Sequence, residues 1–300
     1  MGASPGSSEV AISLDAVIVA VTDDQPRLLV VDQPASLPSG ALAADDLTLE
    51  LGLRRCVREQ TGFEVGYVEQ LYTFGDRGRF GGGGRPRPIG VAYLALVRED
   101  PPLAGAHWVD VYDLLPWEDH RAGVPSVIDG SVLPALQTWA ADSVDGEATE
   151  RVQVAFGPPW DGIRVLERYE LLYEAGLVQE HAIDRGDEPA VVLGTPLAFD
   201  HRRIASVALA RLRGKLTYRP VVFELLPGRF TLLELQRTVE ALSGVSLHKQ
   251  NFRRLIERSG LVEGTGERAD AQGGRPPELF RFRPEVQLER PRPGVGQPYR

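Results

Sequence analysis

The sequence predicts two modules: an α/β sandwich in the N-terminal half and a smaller helical domain that ends in a β-hairpin. Three observations support this prediction. Short apolar runs with β-strand character alternate with amphipathic helical segments up to about residue 142. Three helices bounded by capping residues follow between residues 200 and 260. The charge also changes along the chain, from an acidic first part to a basic last part.

The net charge of −9 over 300 residues conceals this asymmetry. Residues 199–300 contain 19 Lys and Arg against 11 Asp and Glu, a net charge of +8, whereas residues 1–198 have a net charge of −17. A basic C-terminal module on an acidic body predicts that a polyanion binds at that end. The alternative is a basic surface that is only solvated.

The composition argues against several other classes of protein. An apolar content of 43% is enough for folded cores, and no apolar run is long enough to cross a bilayer. The N-terminus, MGASPGSSEV, lacks the basic and apolar regions of a signal peptide, so we expect a cytoplasmic protein without membrane contact. The single cysteine, Cys56, excludes an internal disulfide, and five scattered histidines argue against a structural zinc site.

The first module is predicted to consist of five strands and two helices. The strands are expected over residues 9–22, 27–33, 66–75, 89–98 and 106–112. The helices are expected over residues 47–61 and 127–142. These elements predict a mixed sheet with helices on its faces, which is an α/β sandwich.

The second part of the chain is predicted to be mainly helical. Residues 143–150 are expected to form a linker, and residues 159–177 a helix that begins near Pro159. Three further helices are expected, with N-caps at Asp200, Thr231 and Ser246, a capping box completed by Glu234, and ends at Gly244 and Gly260. A strand, a Gly-rich loop and another strand follow. This order is typical of a winged helix-turn-helix domain, an α+β fold that binds DNA.

The third of these helices carries the clearest nucleic-acid signal. Leu247, Phe252, Leu255 and Ile256 predict its buried face, and its remaining side chains include the Arg, Asn and Gln that pair with base edges in the major groove. Arginines on the following hairpin are expected to contact phosphates. An ordinary basic surface helix is the alternative. The predicted DNA-binding residues are Arg213, Lys215, Lys249, Gln250, Asn251, Arg253, Arg254, Arg258, Arg275 and Arg281.

Residues 37–63, LPSGALAADDLTLELGLRRCVREQTGF, resemble the Nudix box, the loop–helix–loop that holds a divalent metal against a nucleoside diphosphate. Gly40 and Asp46 have the spacing of that box. After one inserted residue, its order continues with Arg55, Val57, Glu59, Gly62 and Phe63.

Two of the three helix carboxylates of the box are replaced, by Cys56 and Gln60. The three positions share one helix face, where a Mg²⁺ site needs several anionic oxygens, and Glu59 alone cannot supply them. The sequence therefore predicts a Nudix-like scaffold without hydrolytic chemistry, with no catalytic residue and no metal ligand.

Longer stretches resemble the Nudix-related transcriptional regulators of NAD metabolism, the NrtR-like family, which includes the alphaproteobacterial NAD-biosynthesis repressors. These stretches are QLYTFGDRGR (70–79), IGVAYLALV (89–97), LAFDHRRIASVALARLRGKL (197–216), YRPVVFELLPGRFTLLELQ (218–236) and NFRR (251–254). The resemblance implies a homodimer that is not an enzyme. It implies an N-terminal sensor of an adenine nucleotide (ADP-ribose, NAD or ATP, with or without Mg²⁺) and a C-terminal winged helix on double-stranded operator DNA.

The expected function is therefore a ligand-responsive regulator, most simply a repressor, of NAD biosynthesis or salvage genes. The expected ranges are a Nudix-like sensor over 8–143, a linker with a helical segment over 144–198, a winged helix over 199–286 and a tail over 287–300. The helical segment within 151–196 is extra relative to shorter members. An active Nudix hydrolase of ADP-ribose or a similar nucleoside diphosphate is the rival interpretation, and non-specific nucleic-acid binding is a third.

The residues expected to bind the effector are Arg55 and Glu59 in the box, together with Asp76, Arg77 and Arg79 in the loop after the strand at 66–75. A guanidinium group matches the oxygens of a phosphate in pairs, so Arg77 and Arg79 are expected to hold a diphosphate. The alternative is that both arginines only solvate a loop.

Overall fold

The computed structural model describes residues 11–32, 34–75, 89–141, 146–188, 193–270, 276–289 and 294–296. Within these residues, a six-stranded mixed sheet forms the centre of the N-terminal module. Its strands are β1 (Ile12–Thr22), β2 (Gln25–Val31), β3 (Ser39–Ala41), β4 (Tyr67–Phe74), β5 (Ile89–Leu96) and β6 (Ala106–Asp110). The order is β4-β5-β1-β2-β6, with β3 paired to β1 off this path and β1 parallel to β5. The five expected strands are confirmed, and β3 is an addition.

The α-helices of the described residues are α1 (Leu49–Thr61), α2 (Val111–Leu114), α3 (Leu133–Ala141), α4 (Glu147–Phe156), α5 (Val165–Glu174), α6 (Gln179–Arg185), α7 (His201–Leu216), α8 (Leu232–Ser243), α9 (Lys249–Ser259) and α10 (Val286–Glu289). A hairpin of β7 (Val262–Arg268) and β8 (Glu278–Phe282) follows α9. The order of α7, α8, α9 and a hairpin agrees with the prediction. No helix of the described residues is long and apolar enough to cross a membrane.

Two predicted boundaries in the connecting segment are wrong. The helix expected from Pro159 begins at Val165, because Asp161 organises a separate turn in which its carboxylate accepts the amide of Ile163 at 3.1 Å. The linker expected over 143–150 already contains the first turn of α4, which begins at Glu147.

The helix caps of the C-terminal module test the predictions residue by residue. The capping box of Thr231 and Glu234 at the start of α8 is present, and Gly244 ends that helix at a φ of 73°. The N-cap predicted at Ser246 is wrong, because α9 begins at Lys249 and the Ser246 hydroxyl donates instead to the carbonyl of Arg121 at 2.7 Å. Ser246 therefore contacts the N-terminal module.

Both faces of the central sheet are buried, as β1 shows by its alternation. Leu14 and Ile18 point into one cluster with α1, whereas Val17 and Val19 point into a second cluster with α7. The second cluster continues through α5 and α8 to Phe252 of α9. Helix α7, predicted as part of the C-terminal module, thus packs across the sheet of the N-terminal module, and one apolar core joins the two.

Candidate functional site

The loop before α1 is closed by an ion pair between Asp46 and Arg55. Arg55 donates from Nε to Asp46 Oδ1 at 3.0 Å and from a terminal nitrogen to Oδ2 at 2.8 Å, and Ala43 donates its amide to Oδ2 at 2.8 Å. The Arg55 guanidinium lowers the pKa of Asp46 to about 2. The inserted residue in the box does not prevent this pairing. Both Asp46 oxygens are engaged, so the carboxylate holds the loop.

Gln60 makes a hydrogen-bonded pair with the backbone of β3. Its side-chain oxygen accepts the amide of Ser39 at 3.2 Å, and its nitrogen donates to the Ser39 carbonyl at 2.6 Å. A glutamate at this position lacks the donor and faces the carbonyl with a negative charge. The residue that replaces the carboxylate therefore fastens β3 to α1.

Cys56 fills the space beneath Gly40. A Cβ atom added to Gly40 would lie 2.6 Å from the Cys56 sulfur, which leaves no room for a larger side chain without moving β3. Burial raises the pKa of the Cys56 thiol, so the thiolate needed for a nucleophile is disfavoured.

The donor set of the box does not fit a Mg²⁺ ion. Hard cations need several oxygen ligands on one face, but Asp46 is paired with Arg55 and Gln60 with Ser39. Glu59 is exposed over 58% of its side chain and lies 3.3 Å from Arg55. No group of three His, Cys, Asp or Glu in the described part of the chain is arranged to hold a metal. Asp76, Arg77 and Arg79 lie outside the described residues.

Helix α9 presents a basic, hydrogen-bonding surface to solvent. Phe252 and Ile256 are buried beneath it, as the sequence predicted. Arg281, on β8, is 63% exposed and pairs with Glu263 across the hairpin at 2.7 Å. Arg275 lies outside the described residues. The exposed polar residues of α9 include Lys249, Gln250, Asn251, Arg253, Arg254 and Arg258. This arrangement matches that expected of a recognition helix.

Two predicted DNA contacts on α7 are wrong. The Arg213 side chain is 1% exposed and pairs with the fully buried Glu118. Lys215 is 14% exposed, pairs with Glu69 of β4 and donates to the hydroxyl of Tyr67 at 3.1 Å. The two side chains leave α7 in different directions, but each pairs with an acid of the N-terminal module, so neither is available to DNA. Arg213 follows Leu209 by four residues, and this spacing on the buried stripe is the signal that would have placed it correctly.

A second buried acid lies between the sheet and α7. Asp15, 2% exposed on β1, accepts the Ser13 hydroxyl at 2.9 Å and lies 3.8 Å from Nε2 of His201. Burial raises the pKa of Asp15 to about 6 and lowers the pKa of His201 to about 4. The other ring nitrogen of His201 accepts the Leu37 amide at 2.9 Å, which fixes the proton of the neutral ring on Nε2.

These two shifts have opposite effects on stability. Asp15 binds a proton more tightly in the folded state, so its contribution to the free energy of unfolding falls as pH rises from about 4 to 6. His201 binds a proton less tightly in the folded state, so its contribution to the free energy of unfolding falls as pH decreases through the same range. Asp15→Asn should raise the free energy of unfolding by about 3 kcal/mol at pH 7 and leave it nearly unchanged at pH 4. Urea unfolding between pH 4 and 8 measures this, with the exposed Asp45→Asn as control. A gain that is equal at both ends would contradict it.

The geometry defines a two-module protein, in which an α/β fold carries a winged helix-turn-helix domain. Residues 222–282 match the family model of the NrtR DNA-binding winged helix domain. The chain is 43% identical over 86 residues to the ADPR responsive transcriptional repressor NtrR of Acinetobacter baylyi. That match covers 29% of this chain and 34%, about a third, of the length of the relative.

The whole fold is similar to solved structures of the same architecture. NrtR of Shewanella oneidensis, complexed with a 27mer DNA, matches 92% of this chain and 95% of its own, with a TM-score of 0.57 and 22% identity. A MutT/nudix family protein from Enterococcus faecalis matches 94% of this chain and 90% of its own, with a TM-score of 0.55 and 17% identity. At these identities the likeness shows the fold, and it confirms the predicted class of a Nudix-like domain followed by a winged helix domain.

Proposed function

We propose that this protein is a ligand-responsive transcriptional repressor that binds double-stranded operator DNA through α9 and its hairpin. The observation that carries the proposal is the exposed basic face of α9, which lies within the segment that matches the NrtR winged helix family. The regulated genes are proposed to be those of NAD biosynthesis or salvage. The ranges of the two modules, with the sensor over 8–143 and the winged helix over 199–286, belong to this proposal.

The proposed effector is ADP-ribose. The name of the A. baylyi relative describes an ADPR responsive repressor, which favours ADP-ribose over NAD and ATP. Glu59 offers an exposed carboxylate to the ligand, and Arg55 holds the box loop through Asp46. Asp76, Arg77 and Arg79 stay predictions for the diphosphate contact.

Operator binding is proposed to need a homodimer, because one winged helix reads few base pairs and two copies on a two-fold site read more. The acidic N-terminal modules are proposed to hold the dimer, since their negative charge keeps them away from DNA. In such a dimer the two basic C-terminal modules face the duplex.

Titration of the protein with the DNA upstream of its own gene tests this function. We expect a specific complex whose dissociation constant changes at least about fivefold with saturating ADP-ribose, a typical coupling between two sites. NAD and ATP are run in parallel to identify the effector. Equal affinity for a scrambled duplex would favour non-specific nucleic-acid binding instead.

Hydrolysis of ADP-ribose is expected at background with Mg²⁺ or Mn²⁺, because the box lacks the carboxylates that hold a metal and activate water. The double variant Cys56→Glu with Gln60→Glu is also expected to stay inactive, since the sulfur of Cys56 already abuts Gly40 and Gln60 is needed by Ser39. Release of AMP or ribose phosphate is the measurement. Turnover on the order of 1 s⁻¹ by the natural protein would establish the rival function of a hydrolase.

A further inference from the structure

The turn between α8 and α9 is hydrogen-bonded to the N-terminal module. Tyr112 donates its hydroxyl to the Ala241 carbonyl at 2.6 Å, and the amide of His120 donates to the Gly244 carbonyl at 2.7 Å. In the other direction, Ser246 donates its hydroxyl to a backbone carbonyl of the N-terminal module, that of Arg121. The segment 112–121, which comes after β6, therefore holds the turn from which the recognition helix starts.

The two backbones approach so closely that only glycine fits at the centre of the contact. Gly244 has a φ of 73°, and a Cβ atom added there would lie 2.4 Å from the carbonyl oxygen of Glu118. Glycine is therefore required at this position for its conformation and for the space. A contact of backbone against backbone transmits a displacement directly, because no flexible side chain lies between.

The segment is in turn held by the hairpin of β1 and β2. Arg121 donates to the Asp24 carbonyl and, at 2.6 Å, to the side-chain oxygen of Gln25. Its Nε donates to Asp119 at 2.8 Å. The carboxylate of Asp24 also pairs with Arg237 of α8 at 3.3 Å. The hairpin of β1 and β2 thus holds segment 112–121 through Arg121 and also contacts the exposed side of α8 through Asp24.

Buried ion pairs also hold segment 112–121 in place. Glu118 is fully buried and receives Arg168 of α5 and Arg213 of α7. Arg213 also donates to the Leu242 carbonyl at 3.1 Å, one residue before the end of α8. The Glu118 carboxylate therefore links α5 and α7 to segment 112–121, and Arg213 extends this link to the end of α8.

We propose that the segment 112–121 is the element through which the sensor sets the orientation of α9, and that Asp24 and Ser246 are positioning residues for operator binding. This inference rests on the proposed function and names its route of regulation. An effector that shifts β6 against β2 moves segment 112–121 and, with it, the start of α9. A ligand changes an equilibrium only through contacts that differ between two states. The contacts of segment 112–121 join the N-terminal module to the turn from which α9 starts, in addition to the apolar core that the two modules share.

The test compares two double variants of the full-length protein. Asp24→Asn with Ser246→Ala removes one ion pair and one hydrogen bond between the modules. The control, Asp23→Asn with Ser259→Ala, makes the same chemical changes without touching the contact. Asp23 and Asp24 are neighbours with φ values of 51° and 61°, and asparagine tolerates this region. Ser259 donates to the Ile256 carbonyl within α9 and accepts the Leu261 amide at 3.2 Å, so the control loses at least as much serine hydrogen bonding as the first variant.

The readout is the ratio of operator dissociation constants with and without saturating ADP-ribose, together with the affinity for ADP-ribose alone. We expect the first variant to bind ADP-ribose as the natural protein does, but to show a ratio at least about threefold closer to one than the natural protein, within the usual range of coupling. The control is expected to keep the natural ratio. A residue that only contacts DNA changes both constants alike and leaves the ratio unchanged.

An unchanged ratio in the first variant would overturn the inference while leaving the proposed function intact. An equal drop in the control would also overturn it, because the effect is then not specific to the contact. If ADP-ribose leaves the operator affinity of the natural protein unaltered, the proposed function fails first, and the inference falls with it.

Discussion

Replacing Arg253 and Arg254 by alanine, one at a time, should weaken operator binding in two different ways. Adjacent residues lie about 100° apart around a helix, so the two exposed side chains of α9 cannot both face the bases. Loss of the base-reading arginine should cost about 1–3 kcal/mol, or about 5- to 150-fold in Kd, and relax the preference at one operator position. Loss of the phosphate contact should weaken all sequences alike and reduce the salt slope by about one.

Titrations of operator and scrambled duplex at several salt concentrations distinguish the two outcomes. Arg211→Ala is the control, because this half-exposed arginine lies outside α9, on α7, and 3.4 Å from Glu69 of the N-terminal module. Unchanged curves for both Arg253→Ala and Arg254→Ala would mean that α9 is not the recognition helix.

Replacing Glu118 by glutamine should destabilise the protein by about 3–5 kcal/mol, because it leaves two buried guanidinium groups without a counter-charge. Arg168 is fully buried, Arg213 is 1% exposed, and both bind the same carboxylate. Domains of this kind are stable by about 5–15 kcal/mol in total, so the loss is a large share. Urea unfolding of the free protein measures it.

Glu69→Gln is the control for this experiment. Glu69 also receives two cations, Arg211 and Lys215, but its side chain is 20% exposed and solvent screens the pair. We expect its loss to cost less than the loss of Glu118, because water reaches the Glu69 carboxylate and does not reach that of Glu118. If both variants lose the same small amount, the Glu118 cluster does not carry the buried charge that its geometry indicates.

Local patterns predicted the elements well, because they depend on residues close in sequence. The capping box at Thr231 and the apolar stripe of α9 involve partners within one or two helical turns. The prediction for Arg213 followed its charge and overlooked its place on the apolar stripe of α7, and the sequence does not show which acid receives it. Its partner Glu118 lies 95 residues earlier in the chain.

The box illustrates the same limit at the candidate site. The spacing of Gly40, Asp46 and Arg55 was enough to identify the loop despite the insertion. The sequence pattern also predicted that Cys56 and Gln60 supply no metal-binding carboxylate. It did not show that Gln60 pairs with Ser39 or that Cys56 fills the space under Gly40, since both contacts depend on how β3 lies on α1.

The packing of α7 across the sheet of the N-terminal module determines where the DNA-binding domain can be exchanged for that of another protein. If the DNA-binding domain is exchanged at residue 199, α7 is removed from the N-terminal module. The sheet then loses part of its core, because Ile204, Ala208 and Leu212 of α7 pack beneath β1 and β5. A boundary after Leu216 leaves α7, and with it this wall of the core, on the N-terminal module. Chimeric regulators built from this scaffold should therefore keep α7 with the sensor and replace only the residues beyond Leu216.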